Sequence, residues 1–176
     1  MAFVVAGLVL VGAIGVLNLL LITAVIRRLR RQEEAASGRM ASGPRPGETL
    51  PEFSAVDVSG RSVSRADLDG RLAVLTFLST GCPACPAALP HLREYVRATG
   101  LARQQTIVVI TGEESEAAEL IEPLAELATI VVQPFPGALS ETFSVVGTPT
   151  TVIVGADGRV THAEAGSQPL RDLATA

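Results

Sequence analysis

The chain contains little cysteine: there are two in 176 residues, Cys82 and Cys85, separated by two residues. The sequence offers no third thiol with which either could cross-link to another part of the chain. A disulfide between the two would close almost no loop, and the stabilisation expected from a disulfide grows with the loop that it closes. The pair therefore predicts redox chemistry or metal binding rather than a structural cross-link.

Charged side chains are absent from residues 2–26, a run longer than the roughly 20 residues that a helix needs to cross the hydrocarbon core. A dense group of arginines follows within residues 27–31. A cleaved signal peptide would carry its charge before the apolar run and end in small residues, and a buried core helix rarely stays uncharged for so long. We therefore predict a single transmembrane anchor over residues 1–28, with residues 2–26 in the lipid bilayer.

Lysine is also absent, so that all 14 basic side chains are arginines. Over residues 48–176 acidic residues outnumber arginines, and the whole chain has a net charge of −4. Nucleic-acid binding usually leaves a basic patch, so a nucleic-acid partner is not expected. Residues 29–47 contain glycine, serine and proline with little to bury, which predicts a flexible linker. The globular domain is predicted to span residues 48–176.

Strands and helices alternate along this domain. A strand is predicted from Phe53 to Val58, and apolar runs predict further strands at Leu72–Leu78, Thr106–Thr111, Thr129–Val132 and Thr150–Val154. A helix is predicted to begin near Pro83, and a second helix over residues 114–128 must kink or split at Pro123. An Asp-Gly turn predicts a hairpin that ends with Arg159–His162.

Four segments of this domain stand out, namely Leu50–Phe53 with Asp57, Gly60 and Asp67–Arg71; Cys82–Cys85; Pro90; and Val146–Thr150. The order of elements resembles the thioredoxin fold, and the four segments resemble the membrane-anchored thioredoxin-like proteins of the TlpA/ResA and MauD kind. The resemblance covers residues 45–176. It implies an α/β fold with a central mixed sheet flanked by helices, behind an N-terminal transmembrane helix.

The resemblance also implies the chemistry, that of a thiol–disulfide oxidoreductase acting on protein substrates. Cys82 is expected to attack a substrate disulfide, because a helix N-terminus favours a thiolate there, and Cys85 is expected to resolve the mixed disulfide. Pro83 suits the first helical position. Pro149 is expected to be cis and to face the pair, while the Thr148 backbone binds an extended substrate strand. This chemistry requires neither a metal nor a cofactor.

The sequence departs from the family in three places. Thr76 stands where thioredoxins have a buried acid, Ala88 where ResA-like proteins have a glutamate, and Gly81 where a tryptophan usually precedes the first cysteine. These features are closer to MauD-like proteins. They leave Cys85 without an identified side-chain proton acceptor, and they leave the direction of the redox reaction open.

Two other functions remain as alternatives. Copper-delivery proteins of thioredoxin fold use a Cys-x-x-x-Cys and a histidine, whereas the spacing here is shorter and both histidines, His91 and His162, are interpreted as surface residues. A thiol peroxidase would have a Thr/Ser three residues before its cysteine, where Ser79 stands. It would also need a proline four residues before that position, where Leu75 is found.

The predicted partners are protein thiol or disulfide substrates and a redox partner protein, which could itself be a membrane protein. The predicted location is the cell membrane. The arginines after the apolar run favour a cytoplasmic domain by the positive-inside rule, whereas the family resemblance places the domain outside the cytoplasm. We favour the extracytoplasmic side, since long domains can be translocated regardless of charge.

Overall fold

The structure is a computed structural model that describes residues 42–166 together with six helical residues near the N-terminus, which are Gly12, Gly15, Asn18, Leu19, Ile22 and Thr23. Its contacts divide the chain into two units, Met1–Ala36 and Ser37–Ala176. In the first unit the Thr23 hydroxyl donates a hydrogen bond to the Leu19 carbonyl. None of the helices within the described residues is long and apolar enough to span a membrane. The predicted anchor over residues 1–28 lies, apart from those six residues, outside the described part.

The second unit alternates strands and helices in the predicted order. Its strands are β1 (Ser54–Val56), β2 (Ser62–Ser64), β3 (Ala73–Ser79), β4 (Thr106–Thr111), β5 (Thr129–Gln133), β6 (Thr150–Val154) and β7 (Val160–Ala165). Its α-helices are α1 (Cys85–Thr99), α2 (Glu114–Ile121) and α3 (Ala138–Thr142). The helix predicted over residues 114–128 ends at Ile121, and a 3-10 turn containing Pro123 follows, because proline removes a helical hydrogen bond.

The main sheet has five strands in the order β5-β4-β3-β6-β7, and β1 pairs with β2 in a separate hairpin. β3, β4 and β5 are parallel, whereas β6 is antiparallel to both β3 and β7. β3 is therefore the central strand. Its apolar side chains are buried on both faces, as the continuous apolar run predicts.

Two hydrophobic cores cover the two faces of this sheet. The first core joins α1 and α2 to side chains of the sheet that include Val74, Leu78 and Ile153. The second core lies on the opposite face, where Phe77 packs against Phe143 with ring centroids 5.2 Å apart. Burying each large apolar side chain contributes roughly 1.5–3 kcal/mol, so these two cores hold α1 and the strand ends in fixed positions.

The hairpin of β1 and β2 is closed by a buried carboxylate. Asp57 accepts hydrogen bonds from the Ser59 hydroxyl at 2.6 Å, from the Ser59 amide at 2.8 Å and from the Arg61 amide at 2.9 Å. The Arg61 guanidinium lies 3.3 Å away. The hydrogen bond from the Ser59 hydroxyl, with those from the backbone, lowers the pKa of Asp57 from 3.8 to about 2. This explains why an acid stands at this position of the turn.

The domain extends further toward the N-terminus than the predicted boundary at residue 48. Residues 42–47, predicted as part of the linker, bond to the sheet region: the Gly47 amide donates to the Val160 carbonyl at 2.7 Å, and Gly43 donates to Ser144 at 3.2 Å. Gly43 has φ +96° and packs closely against Val152. Composition indicates flexibility for such a segment, but backbone hydrogen bonds formed in the folded domain hold it in place.

Candidate active site

The candidate site lies at one end of the strands of the main sheet, where β3 ends and β6 begins. Cys82 follows β3 after two residues, and Pro149 immediately precedes β6. Because β6 runs antiparallel to β3, with Phe77 opposite Thr150, the end of β3 lies beside the start of β6. The sheet register therefore brings together two segments that are far apart in the sequence.

A tight turn presents the two cysteines. The Cys82 amide donates to the Ser79 carbonyl at 3.1 Å, and the Cys85 amide donates to the Cys82 carbonyl at 3.2 Å. The helix begins at Cys85, two residues later than predicted, so that Pro83 is not the first helical residue. It lies instead inside the turn, where its fixed φ suits the second position. Pro86 is the proline in the first turn of α1.

The two thiols are free and have different environments. Cys82 is partly exposed, whereas Cys85 has 0 % exposure and packs in the first core. The pKa of the Cys85 thiol is raised from 9.0 to about 12. Burial is the largest cause, and the hydrogen bond with the Cys82 side chain is the second largest. The site therefore offers one accessible thiol and one protected, protonated thiol.

The segment before β6 supplies the other wall of the site. The Thr148–Pro149 peptide bond is cis, as predicted, and the Cys82 thiol donates a hydrogen bond of 3.2 Å to the Thr148 carbonyl. Pro149 is buried, and its carbonyl accepts a hydrogen bond from Gly166 at 2.7 Å. Four of the five predicted site residues, Cys82, Cys85, Thr148 and Pro149, thus belong to one site, while Pro83 lies on the exposed surface of the turn.

The structure adds Ser42, which the sequence analysis assigned to the linker. Its side chain is buried, and its oxygen accepts a hydrogen bond from the Val146 amide at 3.1 Å and lies 2.8 Å from the Thr150 hydroxyl oxygen. The Thr150 hydroxyl also lies 2.6 Å from the Gly147 carbonyl. These bonds hold both ends of the Thr148–Pro149 segment. No local pattern in the sequence could have revealed a contact between residues so distant along the chain.

A second missed residue is Gly112, which follows β4 beside the turn that carries the cysteines. A Cβ atom there would lie 2.2 Å from the Thr80 hydroxyl oxygen, and the glycine has φ +148°. The Thr80 hydroxyl in turn donates to Glu116 at 3.1 Å. Gly112 therefore allows the two strand ends to approach closely, two residues before Cys82.

The remaining candidate residues lie in different places. Thr76 and Ala88 are buried. His91 and His162, interpreted from sequence as surface residues, are each only partly exposed. The described residues contain no group of three or more histidine, cysteine, aspartate or glutamate side chains positioned to hold a metal ion.

A central mixed sheet flanked by helices, with a partly exposed and a buried thiol beside a cis proline, defines a thioredoxin-fold protein with a redox-active cysteine pair. Solved structures support the fold. The thioredoxin domain of a thiol–disulfide oxidoreductase from Bacteroides vulgatus superposes with a TM-score of 0.62 at 22% identity, covering 75% of this chain and 96% of that one. A secreted Mycobacterium tuberculosis disulfide oxidoreductase homologous to E. coli DsbE has a TM-score of 0.57 at 23% identity, covering 70% and 92%.

The chain belongs to the AhpC/TSA family, which it matches over residues 46–163. It is 24% identical over 127 residues to the thiol-disulfide oxidoreductase ResA of Bacillus thuringiensis subsp. konkukian, covering 72% of this chain and 73% of that protein. It is 29% identical over 93 residues to the methylamine utilization protein MauD of Paracoccus denitrificans, covering 51% of this chain and 45% of that protein. These relatives, together with the paired thiols, show that the chain is a thioredoxin-like thiol–disulfide oxidoreductase.

Proposed function

We propose that the chain is a membrane-tethered enzyme that exchanges disulfides with protein substrates on the extracytoplasmic side, with Cys82 as nucleophile and Cys85 as resolving residue. The observation that carries this proposal is the asymmetry of the pair. Cys82 is accessible and bonded to the Thr148 carbonyl at 3.2 Å, whereas Cys85 is fully buried. A substrate can therefore reach only one of the two sulfur atoms directly.

The reaction has two exchange steps. In the first, the Cys82 thiolate attacks one sulfur of a substrate disulfide, forms a mixed disulfide and releases the other substrate sulfur as a thiolate. In the second, the Cys85 thiolate attacks the Cys82 sulfur and releases the remaining substrate thiolate. The substrate gains two electrons and the pair becomes a disulfide. The same steps in reverse oxidise a substrate dithiol, and a redox partner protein restores the pair.

The substrate is proposed to bind as an extended strand beside Thr148. The amide and carbonyl groups of a strand end can pair with an added strand, as in other cases of β-augmentation. The bonds from Ser42 to Val146 and Thr150 support this, because they hold both ends of the segment in a fixed position. A preformed segment loses less conformational entropy on binding than a flexible one.

Cysteine substitutions test the exchange reaction. In an assay of disulfide exchange with a protein substrate such as insulin, Cys82→Ser should abolish activity, whereas Cys85→Ser should accumulate mixed disulfides that separate on a non-reducing gel. Ala87→Ser is a suitable control because Ala87 is exposed on α1 and the variant retains both thiols. Full activity in both cysteine variants would contradict the proposed function.

The location of the domain requires a separate experiment. The tether is proposed because residues 2–26 carry no charge, and the extracytoplasmic side because the domain resembles anchored thioredoxin-like proteins. Alkaline phosphatase folds only where disulfides form, so a fusion after Ala176 should be active if the domain is outside. A stably produced but inactive fusion would place the domain in the cytoplasm and overturn the proposed location.

A further inference from the structure

Four large apolar side chains are exposed among the described residues of the second unit. They are Val56 at 61%, Val58 at 47%, Phe135 at 86% and Val146 at 69% exposure. Val56 and Val58 line one cleft, and Phe135 directly follows Pro134, which lines the same cleft. Single exposed apolar residues are common on protein surfaces, whereas several of them at one concave site indicate a binding surface.

The cleft lies between the β1–β2 hairpin and the ends of β4 and β5. It has a volume of about 450 Å³, and its walls are formed by residues 56–58 and 60 of the hairpin and by residues 112–114 and 132–134. At its closed end the Val58 amide donates a hydrogen bond to the Ile130 carbonyl at 2.9 Å. No second backbone hydrogen bond joins the hairpin to β5 within the described part of the chain. The cleft is therefore open beyond Ile130.

This opening leaves part of the edge of β5 without a partner strand. The backbone groups of successive residues in a strand point alternately to its two sides. The Gln133 carbonyl accepts a hydrogen bond from the Gly112 amide on the β4 side, whereas the Ile130 carbonyl faces the hairpin. The amide and carbonyl of Val132 therefore point away from β4, and no backbone partner for them is found among the described residues. Such an edge can pair with an extended segment of another chain.

The cleft adjoins the turn that carries the cysteines. Gly112 lines the cleft, and a Cβ atom there would collide with the Thr80 hydroxyl, so the two backbones are in close contact. Thr80 precedes Cys82 by two residues, a chain length of at most about 7 Å. An extended polypeptide advances by about 3.3 Å per residue. About three or four residues of a substrate bound to Cys82 therefore suffice to reach the cleft.

The cleft carries negative charge where it adjoins the turn. Glu113 and Glu114 line it and are both exposed, and its described lining contains no arginine or histidine. The other acid in the lining, Asp57, is buried and bonded to Ser59 and Arg61. Two exposed carboxylates beside an apolar cleft favour a ligand that combines apolar and basic side chains, because complementary charge accelerates association and selects partners.

We propose that this cleft binds an extended segment of the protein substrate while Cys82 attacks the substrate disulfide. The inference rests on the proposed function and defines a class of substrate, in which an apolar and a basic residue lie about three or four positions from the reactive cysteine. The segment pairs with the backbone of Val132, its apolar side chain contacts Val56 and Val58, and its basic side chain lies beside the two glutamates. The substrate chain on the other side of the cysteine lies beside Thr148.

Peptides with a coloured leaving group measure this binding in the reduced full-length chain. In each probe, a central cysteine carries a thionitrobenzoate group. The Cys82 thiolate attacks the peptide sulfur, the disulfide between peptide and Cys82 forms, and thionitrobenzoate leaves as a coloured thiolate. One probe has valine and arginine on both sides of its cysteine, and the second has glycine and glutamate in their places. The first should react with a kcat/KM at least about fivefold higher, the effect typical of one interface contact.

Variants of the cleft assign this preference to its residues. Val56→Ser combined with Val58→Ser should lower kcat/KM for the first probe about fivefold or more, relative to that for dithiobis-nitrobenzoate, which is too small to extend from Cys82 into the cleft. Glu113→Gln combined with Glu114→Gln should reduce both the preference for the first probe and its dependence on salt. All four side chains are exposed, so neither pair of substitutions alters the cores. As a control, Glu126→Gln removes an exposed carboxylate outside the cleft and should leave the preference unchanged.

Hydrogen exchange tests the strand pairing without a measurement of rate. In Cys85→Ser the first probe stays attached to Cys82, because the resolving thiol is missing. Exchange of the Val132 amide, followed by NMR, should then slow by about tenfold or more compared with the chain that carries no peptide. Unchanged exchange at Val132 in the fully loaded chain would contradict the pairing with β5.

The outcomes separate this inference from the proposed function. If the unaltered chain releases no coloured thiolate through Cys82 from any of these disulfides, the proposed exchange reaction itself fails. If release occurs but the two probes react equally, or the valine substitutions leave the ratio unchanged, binding in the cleft alone is refuted. A dimer in sedimentation that the valine substitutions dissociate, without any effect on the probes, would assign the cleft to a second copy of the chain and overturn the inference.

Discussion

Selective alkylation provides a direct measure of the difference between the two thiols. Iodoacetamide added to the reduced chain at neutral pH should modify Cys82 and leave Cys85 unmodified. Burial raises the pKa of Cys85 from 9.0 to about 12, and three pKa units correspond to about a thousandfold less thiolate at neutral pH than an ordinary cysteine would have. Since the thiolate is the reactive form, the rate should fall at least in that proportion.

The assay is a time course of alkylation followed by mass spectrometry of the peptides that contain each cysteine. Cys82→Ser isolates the second thiol, and because desolvation is the largest cause of the raised pKa, Cys85 should remain protected in that variant. In concentrated urea both cysteines should react at similar rates, since the burial is lost. If native Cys85 reacts within about tenfold of a free cysteine, the inference from its burial is wrong.

Three further substitutions test how the fold supports the site. Asp57→Asn should lower the free energy of unfolding at neutral pH by about 2 kcal/mol. The hydrogen bond from the Ser59 hydroxyl is the main cause of its low folded-state pKa of about 2. Because that pKa lies below the unfolded value, the stabilisation is present above about pH 4 and is lost as the pH falls toward 2. In urea titrations, the free energies of unfolding of the variant and the unaltered chain should therefore converge over this pH range. A difference that stays constant with pH would contradict this argument. Gly112→Ala should lower the free energy of unfolding by about 1–3 kcal/mol, because Gly112 has a positive φ and a Cβ atom there would contact Thr80. Gly81→Ala should lower it less, because a Cβ atom at Gly81 meets nothing within 4 Å. Equal decreases in the temperature of thermal unfolding would refute the steric argument. Ser42→Ala should lower the free energy of unfolding by about 1–3 kcal/mol and slow disulfide exchange, because it leaves the Val146 amide without its acceptor and removes the contact with Thr150. Unchanged exchange kinetics would exclude a role of Ser42 in holding the Thr148–Pro149 segment.

Local features of the sequence were sufficient to predict most of the elements and the reactive pair. Continuous apolar runs identify strands such as β3, and the Cys82–Cys85 spacing predicts a pair for redox chemistry or metal binding, because both depend on neighbours along the chain. The break at Pro123 follows from the missing amide of proline. The helix start was predicted near Pro83 rather than Cys85, since a turn before a helix and the first helical turn have similar residue preferences.

Tertiary structure alone decided how the site works. The burial of Cys85 and the contacts of Ser42 with Val146 and Thr150 join segments that are distant along the chain. Strand order and register determine such contacts, and a shift of one residue would turn each side chain to the other face of the sheet. The sequence by itself therefore determined which two thiols are present and how closely they are spaced, because that depends only on the local motif. Long-range packing determined that Cys82 is partly exposed, that Cys85 is buried, and what holds the Thr148–Pro149 segment in place.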